Sequence, residues 1–290
     1  MDTIENVAVE LDIRPVTGAL GAEIHGVDLS GPLDETTRRA ILDAFARYLV
    51  IWFPDQKLTR ERHLEFSRMF GPLQPIPHIF SVEGYPDIQI VKRDAEEEGT
   101  YVVGGNLHTD STYMETPPAA VIMHAIDVPE VGGDTMFQNM YLAWETLSPK
   151  LQEVLSGLNA VHSATWVFGT ESRKRERGYI IRDMDEDYAD AEIVHPVAPV
   201  HPVTGKRHLF VNKVYVRRFE GMTEEESKPL LDYLYQHCAR VQFGCRARWR
   251  KNQVLVWDNR ATMHQAVPDY LGQYRYLERT TVGGSRPAAA

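Results

Sequence analysis

The apolar positions of this chain fall into many short runs. Residues 7–15 alternate apolar and polar side chains, which predicts a strand turning through Gly18–Gly21 into a second around Ala22–Ile24, an edge hairpin. Asp34-Glu35-Thr36 opens a helix on which Ile41, Leu42, Phe45 and Ala46 share one buried stripe. Leu49–Phe53 is an apolar run of strand length stopped by Pro54, and a helix over 59–70 ends at Gly71. Further strands are predicted at Ile88–Val91 and at Ala119–Ile126, the latter apolar enough to be core, with His124 a satisfied core histidine. Gly132-Gly133 turns into a strand that begins near Thr135, and Ser148-Pro149 caps a helix running to Leu158. Ile193–Val200 and Arg207–Tyr215 read as a hairpin around residues 201–205. A helix starts between Thr223 and Ser227 and ends near Arg240, and strands at Val241–Trp249, Val254–Asp258 and Tyr274–Val282 complete the pattern. Short strands joined by turns, with helices early and late, predict one mainly β domain over residues 1–290 with added helices, a sandwich or jelly roll.

Two stretches lack periodicity. Residues 94–106 are acidic and glycine-containing, a loop that could gate a site. Residues 166–191 are dense in charge and tyrosine, either a solvated excursion or a lid. Composition narrows the classes: 31 basic against 41 acidic residues give a net charge of −10, which argues against a nucleic-acid surface. The start of the chain is acidic where a secretory signal is basic, and no apolar stretch approaches 18 residues, so a cytoplasmic protein with no membrane partner is expected. Cys238 and Cys245 fall in different elements and read as buried thiols. Exposed apolar residues predict a homo-oligomer, a dimer or tetramer, without locating its interface.

Candidate chemistry centres on Gly105-Asn106-Leu107-His108-Thr109-Asp110-Ser111-Thr112. In an extended segment His108 and Asp110 share a face, and His264 supplies a third donor. Two histidines and one carboxylate with the remaining positions open suit a non-haem Fe(II) oxygenase. The other His-x-acid pair, His63-Leu64-Glu65, lies in the 59–70 helix, where residues two apart diverge, and it reads as surface. A second signal comes from the last strand, where Arg275, Leu277, Arg279 and Thr281 share one face. If that face looks inward, each guanidinium needs an anionic partner, either an internal carboxylate or a bound acid.

His108-Thr109-Asp110, Gly132-Gly133-Asp134-Thr135 and the block from Trp257-Asp258-Asn259-Arg260 through His264 to Arg275 and Arg279 resemble the taurine and 2,4-dichlorophenoxyacetate dioxygenase family. Glu83-Gly84-Tyr85-Pro86, Val161–Thr165, Glu220–Thr223 and Arg279–Gly284 are similar to its aryloxyalkanoate (phenoxypropionate) branch. The resemblance implies a double-stranded β-helix, the cupin-like jelly roll, with His108, Asp110 and His264 holding Fe(II). It implies that Thr135 and Arg275 bind the far carboxylate of the cosubstrate 2-oxoglutarate, and that Arg279 binds a small anionic substrate. O2 is then consumed, succinate and CO2 are formed, and a substrate C–H is hydroxylated. Leu107 stands where relatives commonly carry Trp, and Ile76-Pro77-His78-Ile79 replaces polar groups of the taurine enzyme, so Leu107 and Ile79 are expected in an altered substrate wall. An aryloxyalkanoate cleaved to a phenol and a keto acid is the first expectation for substrate, an alkyl sulfonate or sulfate the alternative. A zinc hydrolase on the same three ligands, or a non-enzymatic metal- or anion-binding β-sandwich, are the readings of other classes.

Overall fold

The computed structural model of this protein describes residues 11–97, 102, 104–168 and 186–289. Residues 7–10 of the first expected strand, part of the 94–106 loop and most of the 166–191 stretch lie outside the described residues. In chain order the elements are β1 (Asp12–Pro15), β2 (Ala22–His25), α1 (Glu35–Tyr48), β3 (Val50–Phe53), α2 (Arg60–Arg68), β4 (Ser81–Val82), β5 (Tyr85–Arg93), β6 (Ala120–Asp127) and β7 (Thr135–Asn139). There follow α3 (Met140–Glu145), α4 (Pro149–Ser156), β8 (Asn159–His162), α5 (Thr165–Phe168), α6 (Glu186–Asp190), β9 (Ile193–Pro196) and β10 (Val216–Phe219). The chain ends with α7 (Glu224–Cys238), β11 (Gly244–Ala247), β12 (Val254–Asp258), β13 (Thr262–Ala266) and β14 (Arg275–Val282).

The main sheet runs β1-β2-β3-β12-β6-β14-β5-β4, and a smaller sheet runs β11-β7-β13. Strand alternation explains why the central strands are apolar throughout. Val50, Trp52, Val121, Met123, Leu255, Trp257 and Leu277 point between the sheets, where Phe137 and Ala247 meet them. Ile51, Phe53, Ile122, Val254, Val256 and Val282 point the other way, onto Ile41 and Phe45 of α1 and Phe66 of α2. Each such fully buried side chain contributes about 1.5–3 kcal/mol. Helix starts follow the chemistry of their caps: Asp34 accepts the Thr37 N–H, and Thr223 with Glu226 forms a reciprocal capping box. The mainly β jelly roll with added helices is therefore the architecture, and β1–β2 is its edge hairpin.

Two local expectations are corrected. The hairpin of 193–200 with 207–215 is a single bridge, Val200 to Arg207; β9 pairs instead with β8, which pairs with β10 on its other edge. Pro199 and Pro202 remove ladder donors there, and the buried Asn212 side chain takes the Val214 and Tyr215 N–H groups that a strand would have used. The strand expected over 241–249 begins as a 3-10 turn at Val241–Phe243 and covers only β11.

The surface reading of His63 is also overturned. Glu65 is exposed, but His63 is fully buried between α2 and the sheet, its ring 6.0 Å from that of His124 and its Nε2 3.4 Å from Thr280 Oγ1. Residues two apart on a helix do diverge, so when one faces water the other faces the sheet. His124 is the expected core histidine, bonded to the Gln56 carbonyl. Burial, with His124 beside it, pushes the His63 imidazole down to about 3 from an ordinary 6.5. The unfolded chain then binds the proton more readily, so this group's contribution is complete above pH 6.5 and is lost as pH falls toward 3. Between pH 7 and 5 that loss is about 2 kcal/mol. Urea unfolding at the two pH values is expected to show a difference smaller by that amount in His63→Gln; an unchanged difference would remove His63 as the acid-sensitive group.

Candidate metal and anion site

β7 and β13 pair with His264 opposite Phe137, and a short segment around His108 lies against β13. His108 N–H donates to the His264 carbonyl (2.9 Å) and His264 N–H to the His108 carbonyl (2.7 Å). The extended segment expected here is thus one bridge long. Beyond it the chain turns at Ser111, whose φ of 53° is uncommon for a residue with a side chain, and the Asp110 carboxylate comes to lie beside His108. Asp110 Oδ1 is 3.2 Å from His108 Nε2 and 3.9 Å from His264 Nε2, and one donor atom from each residue falls within 4.8 Å of the others. Donors about 2.1 Å from one ion at right angles stand about 3 Å apart, so the set fits a single metal.

Proton placement strengthens that fit. His108 Nδ1 lies 2.7 Å from the Asn106 carbonyl, which can only accept, so Nδ1 carries hydrogen and Nε2 is the ring nitrogen that faces Asp110. A metal bound at this point would take that nitrogen and the carboxylate together. Burial pushes His264 down to about 3, which keeps it in the neutral, ligating form. Burial opposes ionisation of Asp110, yet Arg279 and the two imidazoles hold its carboxyl well below the usual range.

The inward face of β14 does carry both arginines, and the structure separates their circumstances. Arg279 Nη2 lies 3.1 Å from Asp110 Oδ2, and Nε reaches Thr281 Oγ1 at 3.3 Å. The neighbouring acid, Glu278, points to the helix layer and pairs with Arg60. Arg275 has no ion-pair partner among the described residues, and its buried Nε has no hydrogen bond. Buried Asp134, whose charge acts on Arg275, is itself paired with Arg246. Burial works against the Arg275 charge, but a guanidinium does not give up its proton, and Arg275 stands over the rings of Tyr270 and Trp249, 5.4 and 5.8 Å from their centroids. Thr135 begins β7 on the same cavity, its hydroxyl accepting from Trp249 Nε1 at 2.9 Å. Gly133, at φ +70°, leaves room for Arg275: an added Cβ would stand 3.3 Å from its Cδ and Nε.

These groups open on one cavity of about 170 Å³, walled by Ile79, Met123, Phe168 and Tyr215 among others. His78 also lines it, its Nε2 3.2 Å from the Tyr113 hydroxyl, and burial with Arg279 nearby lowers it to about 4. Ile79 is among the cavity-lining residues. Leu107 is not: it packs against the core cluster around Met140 and Trp144, because a residue next to His108 in an extended chain points the opposite way. The sequence did not identify Trp249, Trp257, His78 or Tyr113 as cavity residues; the inward alternation of β12 places Trp257 there, and the others come from loops.

The profile of the taurine catabolism dioxygenase TauD, TfdA family matches residues 12–281. The chain belongs to that family. Among curated relatives, an alpha-ketoglutarate-dependent sulfate ester dioxygenase of Pseudomonas putida is 34% identical, covering 97% of this chain and 92% of its own length. The (S)-phenoxypropionate/alpha-ketoglutarate dioxygenase of Sphingobium herbicidovorans is 29% identical, covering 94% and 95%. A solved taurine dioxygenase from Burkholderia xenovorans superimposes with a TM-score of 0.80 at 33% identity, over 96% of this chain and 93% of the other. This TauD/TfdA enzyme is an oxidoreductase of the Fe(II)-, 2-oxoglutarate- and O2-dependent class acting on a small anionic substrate. The zinc-hydrolase and non-enzymatic readings are set aside. No helix among the described residues is long and apolar enough to cross a membrane.

Proposed function

We propose that His108, Asp110 and His264 hold Fe(II), that Thr135 and Arg275 hold the distal carboxylate of 2-oxoglutarate, and that Arg279 holds the anionic group of an alkyl sulfate or sulfonate. When bound, iron with 2-oxoglutarate and O2 supplies an oxidant for an unactivated C–H, with succinate and CO2 as by-products. The chain's own residues decide which C–H that is.

The observation that carries this reading is the 3.1 Å contact of Arg279 with Asp110. An anion on the free edge of that guanidinium stands next to a metal ligand, so the carbon presented to the oxidant is the one adjacent to the anionic group. Oxygen inserted there converts an alkyl sulfate into an α-hydroxy sulfate; its C–O bond breaks, the hydroxyl loses its proton, and an aldehyde and sulfate result. A sulfonate treated the same way loses sulfite. Neutral His78 adds no second charge, so one guanidinium faces one monoanion, and the apolar wall takes the rest of the molecule. The higher identity to the sulfate ester relative supports putting this class first, ahead of the aryloxyalkanoates. The second reading remains aryloxyalkanoate cleavage, favoured by the aromatic corner in which the rings of His78 and Phe168 stand 4.4 Å apart.

Succinate formation with Fe(II) and air, across alkyl sulfates, alkyl sulfonates, aryloxyalkanoates of both hands and plain carboxylates, tests this. Alkyl sulfates are expected to stimulate turnover most, with stoichiometric sulfate release. Stimulation by aryloxyalkanoates alone would favour the second reading, and decarboxylation that no acid stimulates would refute both substrate classes. We propose further that the chain assembles as a homo-oligomer and that residues 1–290 form one domain.

A further inference from the structure

The Trp257–Arg260 stretch forms the end of β12 and the turn into β13, and the proposed chemistry makes no use of Asn259. That side chain is fully buried, and all of its hydrogen bonds go to a segment 149 and 141 residues earlier in the chain. Its Oδ1 accepts the Asp110 N–H at 2.9 Å, while its Nδ2 donates to the Asp110 carbonyl at 3.1 Å and to the Pro118 carbonyl at 3.0 Å. One amide thus takes both backbone groups of Asp110, fixing the peptide planes on either side and with them the direction of Cα–Cβ.

Asp110 needs such a hold. His108 and His264 are tied directly by their mutual backbone bonds, but Asp110 lies past that bridge and just before Ser111 at φ 53°, where the backbone is held by its surroundings and not by intrinsic preference. The clamp is itself anchored. The Asn259 N–H donates to the Ala119 carbonyl, and buried Asp258 accepts from Arg260 (backbone N–H 3.0 Å, Nε 2.9 Å, Nη2 2.6 Å) and lies 3.1 Å from His201 Nε2. Thr262 Oγ1 closes the turn on the Asp258 carbonyl at 2.6 Å.

We infer that Asn259 is a positioning residue for the metal centre, aiming the Asp110 carboxylate between His108 and His264; the inference rests on the ligand assignment proposed above. Partners one step removed from a metal set affinity by orienting its ligands, and their loss weakens metal binding about 10- to 100-fold.

The test uses the full chain and Co(II) alone as probe, with affinity from titration, coordination from the visible spectrum, and melting temperature recorded with and without metal. Asn259→Ala is expected to weaken Co(II) binding at least tenfold and to shrink the metal-induced rise in melting temperature. Asn259→Asp keeps the volume and the acceptor for the Asp110 N–H but loses both donors, so it gives the same reading, a several-fold loss, should the alanine variant fail to fold. Thr262→Val, which loosens the same turn without touching Asp110, is expected to lower the melting temperature and leave Co(II) affinity within twofold. An Asn259 variant that melts lower yet binds Co(II) like the wild type would show a purely structural role and overturn the inference. Equal weakening in Thr262→Val would overturn it too, by assigning the effect to the turn as a whole. A wild-type chain that binds no Co(II) would instead bring down the ligand assignment itself.

Discussion

Arg279→Met is expected to uncouple the enzyme. Removing a buried guanidinium that holds the substrate anion would cost about 2–5 kcal/mol of binding, a loss of about thirtyfold to several thousandfold in substrate-stimulated succinate formation. The slow decarboxylation of 2-oxoglutarate without substrate should fall only a few-fold, since Arg275 and Thr135 lie elsewhere on the cavity. Comparing succinate formed with product formed reads the two activities separately. Substrate-stimulated turnover retained within a few-fold would mean that another group holds the anion. A parallel fall of both activities would mean that Arg279 acts chiefly on Asp110, through their 3.1 Å contact.

Asp110→Asn is expected to remove two things at once. The amide keeps the shape but not the charge, so metal affinity should collapse and turnover drop by about ten-thousandfold or more, of the order seen when a catalytic set loses a member. The metal-free protein should also lose about 3 kcal/mol, because Arg279, 8% exposed, is left as a buried charge without its carboxylate. Urea unfolding in the presence of a chelator isolates that second effect. The double variant Asp110→Asn/Arg279→Met should then be more stable than the sum of the single losses, since it removes both members of the pair. Strict additivity would show that the contact contributes little to the fold.

Most of the architecture and the pairing of His108 with Asp110 could be read from residues alone, and the reason is periodicity; distant His264 was legible only as the third donor such a metal needs. Alternation put His108 with Asp110 and Arg275 with Arg279, and the structure keeps both pairings although the first segment is a single bridge. The same rule, applied one residue further, should have excluded Leu107 from the substrate wall. His63 was misplaced because divergence of two side chains says that they separate and leaves open which one is buried. What periodicity does not carry are bonds between distant segments: Trp249 to Thr135, Arg246 to Asp134, Asn259 to Asp110. None of these pairs shares a repeat or a local turn. The irregular path from Val197 to Tyr215 was illegible for a related reason, since some of its backbone groups are satisfied by side chains such as His201 and Asn212 in place of a ladder.

The mutual bond of His108 with His264 also bears on how this protein matures. The two residues come from opposite ends of a long stretch of chain, so they meet only after it has closed, in a fold held by pairings as distant as β3 with β12 and β6 with β14. A chain still emerging from the ribosome, before residue 264, holds at most two of the proposed donors. Metal capture is then a reward reserved for finished molecules, and limiting metal should leave behind a folded but more easily unfolded population instead of misassembled intermediates.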